Sequence, residues 1–424
     1  MKKCMVIIIT FLSIYYTTFC DNAQPKTDSL SVILASDDGH QIIYSSNPEQ
    51  RLSPAEFTKL AVCVLVSQEA DTSKHITVTE DMMKYMSNKD STVKPVSGES
   101  FSVKNLMEAC LIASSDNSAS LLALYASNGN IGSFIKKLND MAGKLGCTNT
   151  NFTNVTGNYD ENQYTTAEDS LKIFKKAYDT AEINEIMQKP KLTVYSSEGK
   201  KEVISKNHLV HTHYETKYYY RYAVGGQTGY TDRHGYNLAA FAEKNNMRLL
   251  CIILGGNRKD KNISSFADAK RLFAYTFSNF KTTTAVKLNE PIGEVAVANG
   301  RNKSHTVVEA QNGLKIAIKS GDDDSSIERK ISLPDSLRAP VKKGDIVGKM
   351  YFFYDGMEAG SVNLVTTEDI SYFPLENILK FLSNRYILYM LVSSVLIFLL
   401  FRPKSKKIRL PRQNRGRRNV NSDV

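Results

Sequence analysis

Residues 51–60 read Arg51-Leu-Ser-Pro-Ala-Glu-Phe-Thr-Lys-Leu60 and lead into the apolar run Ala61-Val-Cys-Val-Leu-Val66. Leu60, Ala61, Val62, Val64, Leu65 and Val66 nearly surround a helix axis, so the spacing predicts a helix over 55–69 that is buried on all sides. A helix of that kind lies in the middle of a domain and needs other elements around it. Glu56 falls in its first turn, and Lys59 follows on the same face one turn later.

The neighbouring elements can be read outward from there. Ser31-Val-Ile-Leu34 and Gln41-Ile-Ile-Tyr44 read as two strands joined by a turn at Asp37-Asp38-Gly39. Helical patterns recur over 104–113, 118–127 and 131–145, the last closed by Gly146 as a left-handed cap, and again over 166–179. Tyr236–Ala242 and Met247–Leu254 read as strands about Lys244-Asn245-Asn246, and Ser264-Ser265 opens a helix to about Phe277. From about 285 to 370 the pattern changes to short strands with turns at Asn299-Gly300, Asn312-Gly313, Ser320-Gly321 and Lys343-Gly344, which describes a small all-β domain.

At 424 residues with 42% hydrophobic content, two folded domains with appendages are expected. The net charge of +10 is concentrated at one end. Nine basic residues from Arg402 to Arg418, against Asp423, leave +8 in residues 402–424 and +2 for all the rest. That tail follows the uncharged run Tyr386–Phe401, so a transmembrane helix over 385–402 with a basic cytoplasmic tail at 403–424 is expected, and nucleic acid is not expected as a partner. At the other end, Lys2-Lys3 and the apolar run Met5–Tyr16 predict a signal peptide or N-terminal anchor over 1–23, which would place the main domains outside the cytoplasm.

Of the six cysteines, Cys63, Cys110 and Cys251 lie in apolar runs and read as buried thiols, and wide spacing argues against a disulfide framework or zinc site. His208-x-x-His211-x-His213 reads as ordinary surface histidines, with no completing carboxylate or cysteine nearby. The tyrosines at 214, 218, 219, 220 and 222 read as half-buried strand packing. No metal and no cofactor is expected.

Three segments carry the chemistry: Glu56-Phe-Thr-Lys59, Ser115-Asp-Asn117 and Gln227-Thr-Gly229. Their order and separations are those of the S-x-x-K, S-D-N and K-T-G elements of serine acyl-transferases of the penicillin-binding class. Together with Leu111-Ile-Ala-Ser-Ser115, Asp160-Glu-Asn-Gln-Tyr-Thr-Thr-Ala167, Gly226-Gln-Thr-Gly-Tyr-Thr-Asp232 and Ala339-Pro-Val-Lys-Lys-Gly-Asp-Ile-Val-Gly348, they make the chain resemble the membrane-anchored D-alanyl-D-alanine carboxypeptidase family, the low-molecular-mass penicillin-binding proteins. The resemblance covers about 28–370. It implies an α/β (α+β) transpeptidase domain, with an antiparallel sheet and helices, over 24–282. A C-terminal β-domain over 283–370, a linker over 371–384 and the membrane segment would follow. It also implies peptidoglycan stem peptides as the partner.

A serine hydroxyl is a weak nucleophile that needs a base within hydrogen-bond reach, and a lysine one turn later supplies it. Here Lys59 has Glu56 where the nucleophile belongs. Neither Ser53, outside the helix, nor Thr58, on another face, replaces it. Glu56 is expected to pair with Lys59, keeping it protonated and filling the acyl site. The resemblance gives Ser115 and Asn117 proton-relay and amide-orienting roles, and backbone donors at 56 and 230 an oxyanion hole. Gln227, Thr228, Gly229 and Tyr230 would form the substrate strand, where a glutamine offers only neutral hydrogen bonds to a peptide carboxylate. Counting positions 56, 59 and 227, the local charge falls from +2 to zero. The sequence thus predicts a peptidoglycan-metabolism protein whose acylating machinery has decayed, acting by binding or regulation, with β-lactams held non-covalently at most. The alternatives are a carboxypeptidase working by an altered route and a non-enzymatic surface structural protein.

Overall fold

The computed structural model describes residues 24–36, 41–90, 92–213, 216–259, 261–301, 303–373 and 385–401. The leader over 1–23, the turn at 37–39, Tyr214, most of the 371–384 linker and the tail over 403–424 lie outside the described residues.

The chain divides into two compact units, Met1–Glu290 with Ala310–Ser332 and Gly348–Leu364, and Pro291–Glu309 with Leu333–Val347 and Val365–Val424. The first is organised on a five-stranded antiparallel sheet. Its strands are β1 (Ser31–Ser36), β2 (Ile42–Ser46), β7 (Ala223–Thr231), β8 (Gly235–Lys244) and β9 (Met247–Gly256), in the order β2-β1-β9-β8-β7. Three small two-stranded sheets complete the described strands up to residue 263: β3 (His75–Thr77) with β4 (Ser100–Ser102), β5 (Lys191–Ser196) with β6 (Gly199–Ile204), and β10 (Arg258–Lys259) with β11 (Asn262–Ile263).

Both faces of the sheet are covered, which is why β1 and β9 read as continuous apolar runs rather than alternating ones. Period-two alternation divides their residues between two cores. Val32, Leu34, Leu238, Ala240, Leu249, Cys251 and Ile253 pack with Phe266, Leu272 and Phe273 of α8 (Ser264–Asn279). Ile33, Ala35, Ala239, Phe241, Leu250 and Ile252 face the larger core. That core is built on α1 (Glu56–Glu69), α3 (Val103–Ile112), α4 (Asp116–Ala126), α5 (Ile131–Lys144), α6 (Ala167–Asp179) and α7 (Ala181–Met187), with the one-turn helix α2 (Glu80–Met83) at its margin. Every residue of α1 from Phe57 to Val66 is buried, as its all-round apolar pattern predicts. Gly146 does take a left-handed conformation, with φ 76°, just after α5.

From α8 to residue 373 the described chain is strands with a single 3-10 turn at Asp324–Ser326, in keeping with a small β-domain. In the first unit, β12 (Phe280–Val286) pairs with β15 (Leu314–Lys319), and β16 (Glu328–Ser332) pairs with β18 (Ile346–Tyr354) over Glu328–Ser332 and Lys349–Phe353. In the second unit, β13 (Pro291–Ala298) pairs antiparallel with β14 (His305–Ala310) and parallel with β17 (Ser336–Arg338). A further strand, β19, runs over Met357–Thr366.

The expected span over 385–402 falls on a helix of 16 residues, Arg385–Leu400. Its side chains from Tyr389 onward are exposed, and among the described residues no helix is long and apolar enough to cross a membrane. Two expectations are corrected. Residues 216–222 form turns, not a strand: the Tyr218 hydroxyl accepts from Ile263 N at 2.5 Å and donates to Asn262 Oδ1 at 3.2 Å, which ties this segment to a distant part of the chain. His208 is half-buried and stacks on Phe266 with ring centroids 4.8 Å apart, so it is part of a packed wall rather than free surface. The four described cysteines are buried and unbridged, and burial pushes the Cys63 and Cys251 thiols well above their ordinary range, which makes them inert.

Candidate active site

The start of α1 is pinned from two directions. Leu52 bridges to Thr165, while Asn237 of β8 donates through Nδ2 to the Ser53 carbonyl at 3.0 Å, and His234 Nδ1 accepts from Ser53 N at 3.2 Å. Ala55 is held at φ 47°, a strained value for a residue with a Cβ. Gly157 permits this approach, since a Cβ there would sit 1.9 Å from the Ala55 carbonyl oxygen.

Glu56 lies over Gly229 of β7: a Cβ at 229 would be 1.0 Å from Glu56 Oε2. The carboxylate therefore fills the space that a glycine leaves open on the substrate strand. Its Oε1 accepts from the Ser114 hydroxyl at 2.9 Å, and its buried Oε2 has no hydrogen-bond partner.

Lys59 does not pair with Glu56 by contact. Its ammonium donates to Asp116 Oδ1 at 2.8 Å and to the Thr156 carbonyl at 2.5 Å, with 4% of the side chain exposed. Burial pulls the Lys59 pKa down, but the nearby Glu56 carboxylate, acting through space, and then Asp116, acting in contact, raise it more. The net direction is upward, so the lysine is held as an ammonium and is unavailable as a base. The expected protonation stands, whereas the expected ion pair is corrected to Asp116.

Ser115 and Asn117 face elsewhere. Ser115 caps α4 by accepting from Ser118 N at 3.1 Å and donates to Asp90 Oδ2 at 2.6 Å. Asn117 is spent on the 87–93 segment: its Oδ1 accepts from Ser87 N at 2.6 Å, and its Nδ2 donates to Ser87 O at 3.0 Å and Val93 O at 2.7 Å. The residues that meet Glu56 and Lys59 are Ser114, at φ 59°, and Asp116. They have the same spacing as Ser115 and Asn117, one position earlier, and sequence reasoning missed them.

With Asp116 in place of a neutral amide, positions 56, 59, 116 and 227 carry a formal −1 rather than the expected zero. On β7, Thr228 donates to the Asn237 carbonyl at 2.9 Å and Tyr230 is 52% exposed against Tyr236. Gln227 is 4% exposed, and both its amide oxygen and its amide nitrogen lack partners. Ser53 and Thr58 are buried with unpartnered hydroxyls, so neither serves Lys59.

Among the described residues β7 has a strand neighbour on one side only, β8, which leaves its outer edge for an extended ligand. A cleft of about 490 Å³ lies at this end of the sheet, lined by Glu56, Thr228, Gly229, Tyr230, Tyr236, Lys206, His208, Arg258, Ile263 and Phe266.

The family model of D-alanyl-D-alanine carboxypeptidases, peptidase S11, matches residues 19–258, and the model of the penicillin-binding protein 5 C-terminal domain matches 280–372. The D-alanyl-D-alanine carboxypeptidase DacF of Bacillus subtilis is 27% identical over 374 residues, covering 85% of this chain and 92% of its own length. The carboxypeptidase DacA of Haemophilus influenzae is 28% identical over 358 residues, covering 82% and 86%. Among solved structures, penicillin-binding protein 5 from Haemophilus influenzae superposes with a TM-score of 0.68 at 25% identity, over 82% of this chain and 99% of that one.

Proposed function

The chain belongs to the D-alanyl-D-alanine carboxypeptidase family of peptidoglycan metabolism, and from that premise we propose that it binds cell-wall stem peptides without forming an acyl-enzyme. One observation carries the reading. The Glu56 carboxylate occupies the space over Gly229, while Lys59 is locked as an ammonium between Asp116 and the Thr156 carbonyl. Residue 56 supplies no hydroxyl and residue 59 supplies no base. Attack on a peptide by the Glu56 carboxylate would give a mixed anhydride, far more reactive than an ester and therefore uphill.

Binding needs less than catalysis does, and its elements persist in the free edge of β7, the cleft beside it and the exposed Tyr230. β-Lactams would then occupy the cleft reversibly. We place the folded part outside the cytoplasm and hold it at the membrane through the exposed apolar side chains 389–401 and the basic residues after them.

The test is incubation of the purified protein with a fluorescent penicillin and, separately, equilibrium binding of a D-alanyl-D-alanine-terminated pentapeptide. Absence of a covalent adduct together with saturable peptide binding is expected. A serine-linked adduct would overturn the reading.

A second reading, a carboxypeptidase working by another route, is favoured by the Ser114–Glu56 hydrogen bond, which sets a partly exposed hydroxyl against a carboxylate base. Glu56 would take the Ser114 proton as the Ser114 oxygen attacks the penultimate carbonyl, then return it to the departing D-alanine amine, and water would cleave the resulting ester. Release of D-alanine that is abolished by Ser114→Ala would establish it, and no release from the wild type would remove it.

A further inference from the structure

The altered site presents an acceptor where an acylating site would present a nucleophile. A carboxylate offers about four lone-pair positions, and Glu56 uses one of them, for the Ser114 hydroxyl. Gln227, more than nine-tenths buried, stands beside Glu56 in the wall formed with Phe57, Thr228 and Gly229, and neither of its amide atoms has a partner. Of these residues, Glu56, Thr228 and Gly229 also line the larger cleft, and Gln227 does not.

The remainder of the cleft has the opposite sign. Lys206 and Arg258 both line it, and among the described residues neither side chain has a hydrogen-bond or ion-pair partner. Ile263, Phe266 and Tyr236 line the same cleft. A cleft of about 490 Å³ lined by the Glu56 carboxylate and by two cations suits a short molecule with charges of both signs. We propose that the site selects a zwitterion, a free amino acid or dipeptide, with its α-ammonium on Glu56 and its carboxylate on Lys206 and Arg258. This rests on the non-acylating binding reading above and names the ligand class of that same site. An amine-blocked peptide leaves Glu56 facing a neutral amide and gives up a charge-assisted bond.

The experiment is calorimetric titration of the full chain with D-alanyl-D-alanine, N-acetyl-D-alanyl-D-alanine, D-alanyl-D-alaninamide and an N-blocked stem pentapeptide. The free dipeptide is expected to bind on the order of tenfold or more tighter than either blocked dipeptide. Glu56→Gln, checked for an unchanged melting temperature, should erase the preference over the N-acetyl form and leave the preference over the amide. Equal or tighter binding of the N-acetyl dipeptide overturns the proposal. Binding of the blocked pentapeptide with no binding of the free dipeptide also overturns it, while leaving the binding reading intact. If none of the four binds, both fall.

Discussion

Lys59 and Asp116 form an ion pair of 2.8 Å in which the lysine is 4% exposed and the aspartate 26%. The pair joins the first turn of the central helix to the first turn of α4. It makes the state of the lysine depend on a residue outside the Glu56-Phe-Thr-Lys59 segment. Repairing that segment alone therefore leaves the base engaged.

This bears directly on reversal experiments. Glu56→Ser with Gln227→Lys restores a hydroxyl and a cation but keeps Asp116 on Lys59. The double variant is expected to acylate with a fluorescent penicillin weakly or not at all, and addition of Asp116→Asn should raise the labelling rate by about tenfold or more, the scale on which general-base assistance operates. Equal labelling rates in the double and triple variants would contradict this role for Asp116.

Removal of the aspartate should also cost stability. Asp116→Ala leaves a buried ammonium with the Thr156 carbonyl and the more distant Glu56, and the partial exposure of Asp116 moderates the loss. A destabilisation of about 1–3 kcal/mol is expected by chemical denaturation, below the full penalty for breaking a wholly buried pair.

The direction of the Lys59 shift fixes a pH dependence. Its folded-state pKa is raised above the ordinary 10.5. The stabilisation is fully present below 10.5 and is lost as pH rises through the folded value, because only the folded state resists deprotonation there. The difference in unfolding free energy between wild type and Lys59→Met should be flat from neutral pH to about 10 and then fall. A difference that grows with alkalinity would refute the assignment.

Gly229 and Glu56 should behave as a coupled pair. Gly229→Ala puts a methyl group into the Glu56 carboxylate, whose escape is restrained by Ser114. It should cost about 1–3 kcal/mol in the wild type and much less in Glu56→Ala, a non-additivity that a double-mutant cycle measures. Additive losses would show that Glu56 moves aside freely.

Asn117 is assigned to structure, not to substrate. Asn117→Ala removes three hydrogen bonds to Ser87 and Val93 and should raise amide exchange across 87–93 while lowering stability by about 2–3 kcal/mol. Weakened peptide binding with unchanged exchange in that segment would restore a direct role.

The fold was legible where burial is continuous. The all-round apolar pattern after Lys59 placed the central helix, and the apolar runs at 31–34 and 247–254 placed two sheet strands, because composition alone signals an element covered on both sides. The substrate strand was read only as a motif. Gly225, Gly226 and Gly229 remove the β-branched side chains by which a strand is recognised, and they are there because other atoms need the space.

In the middle of the site the residues in contact with Glu56 and Lys59 stand one position before the expected pair. Leu111-Ile-Ala-Ser-Ser-Asp-Asn117 contains two overlapping frames, Ser114-x-Asp116 and Ser115-x-Asn117, and the presence of asparagine favours the second. What selects the first is the left-handed backbone at Ser114, which turns 114 and 116 toward Glu56 and Lys59 and gives 115 and 117 to the Asp90 side. A positive φ at a serine has no signature in sequence.

Glu56 and Gly229 interlock, and that contact changes what a retained glycine signifies. Once glutamate occupies position 56, any side chain at 229 collides with it, so packing alone is enough to hold the glycine in place whether or not any ligand ever reaches the strand. The Thr228-Gly229 pair, the most conspicuous survival of an acylating machine in this chain, is thus a poor witness to activity: the lock has kept its shape because the wrong key is permanently in it.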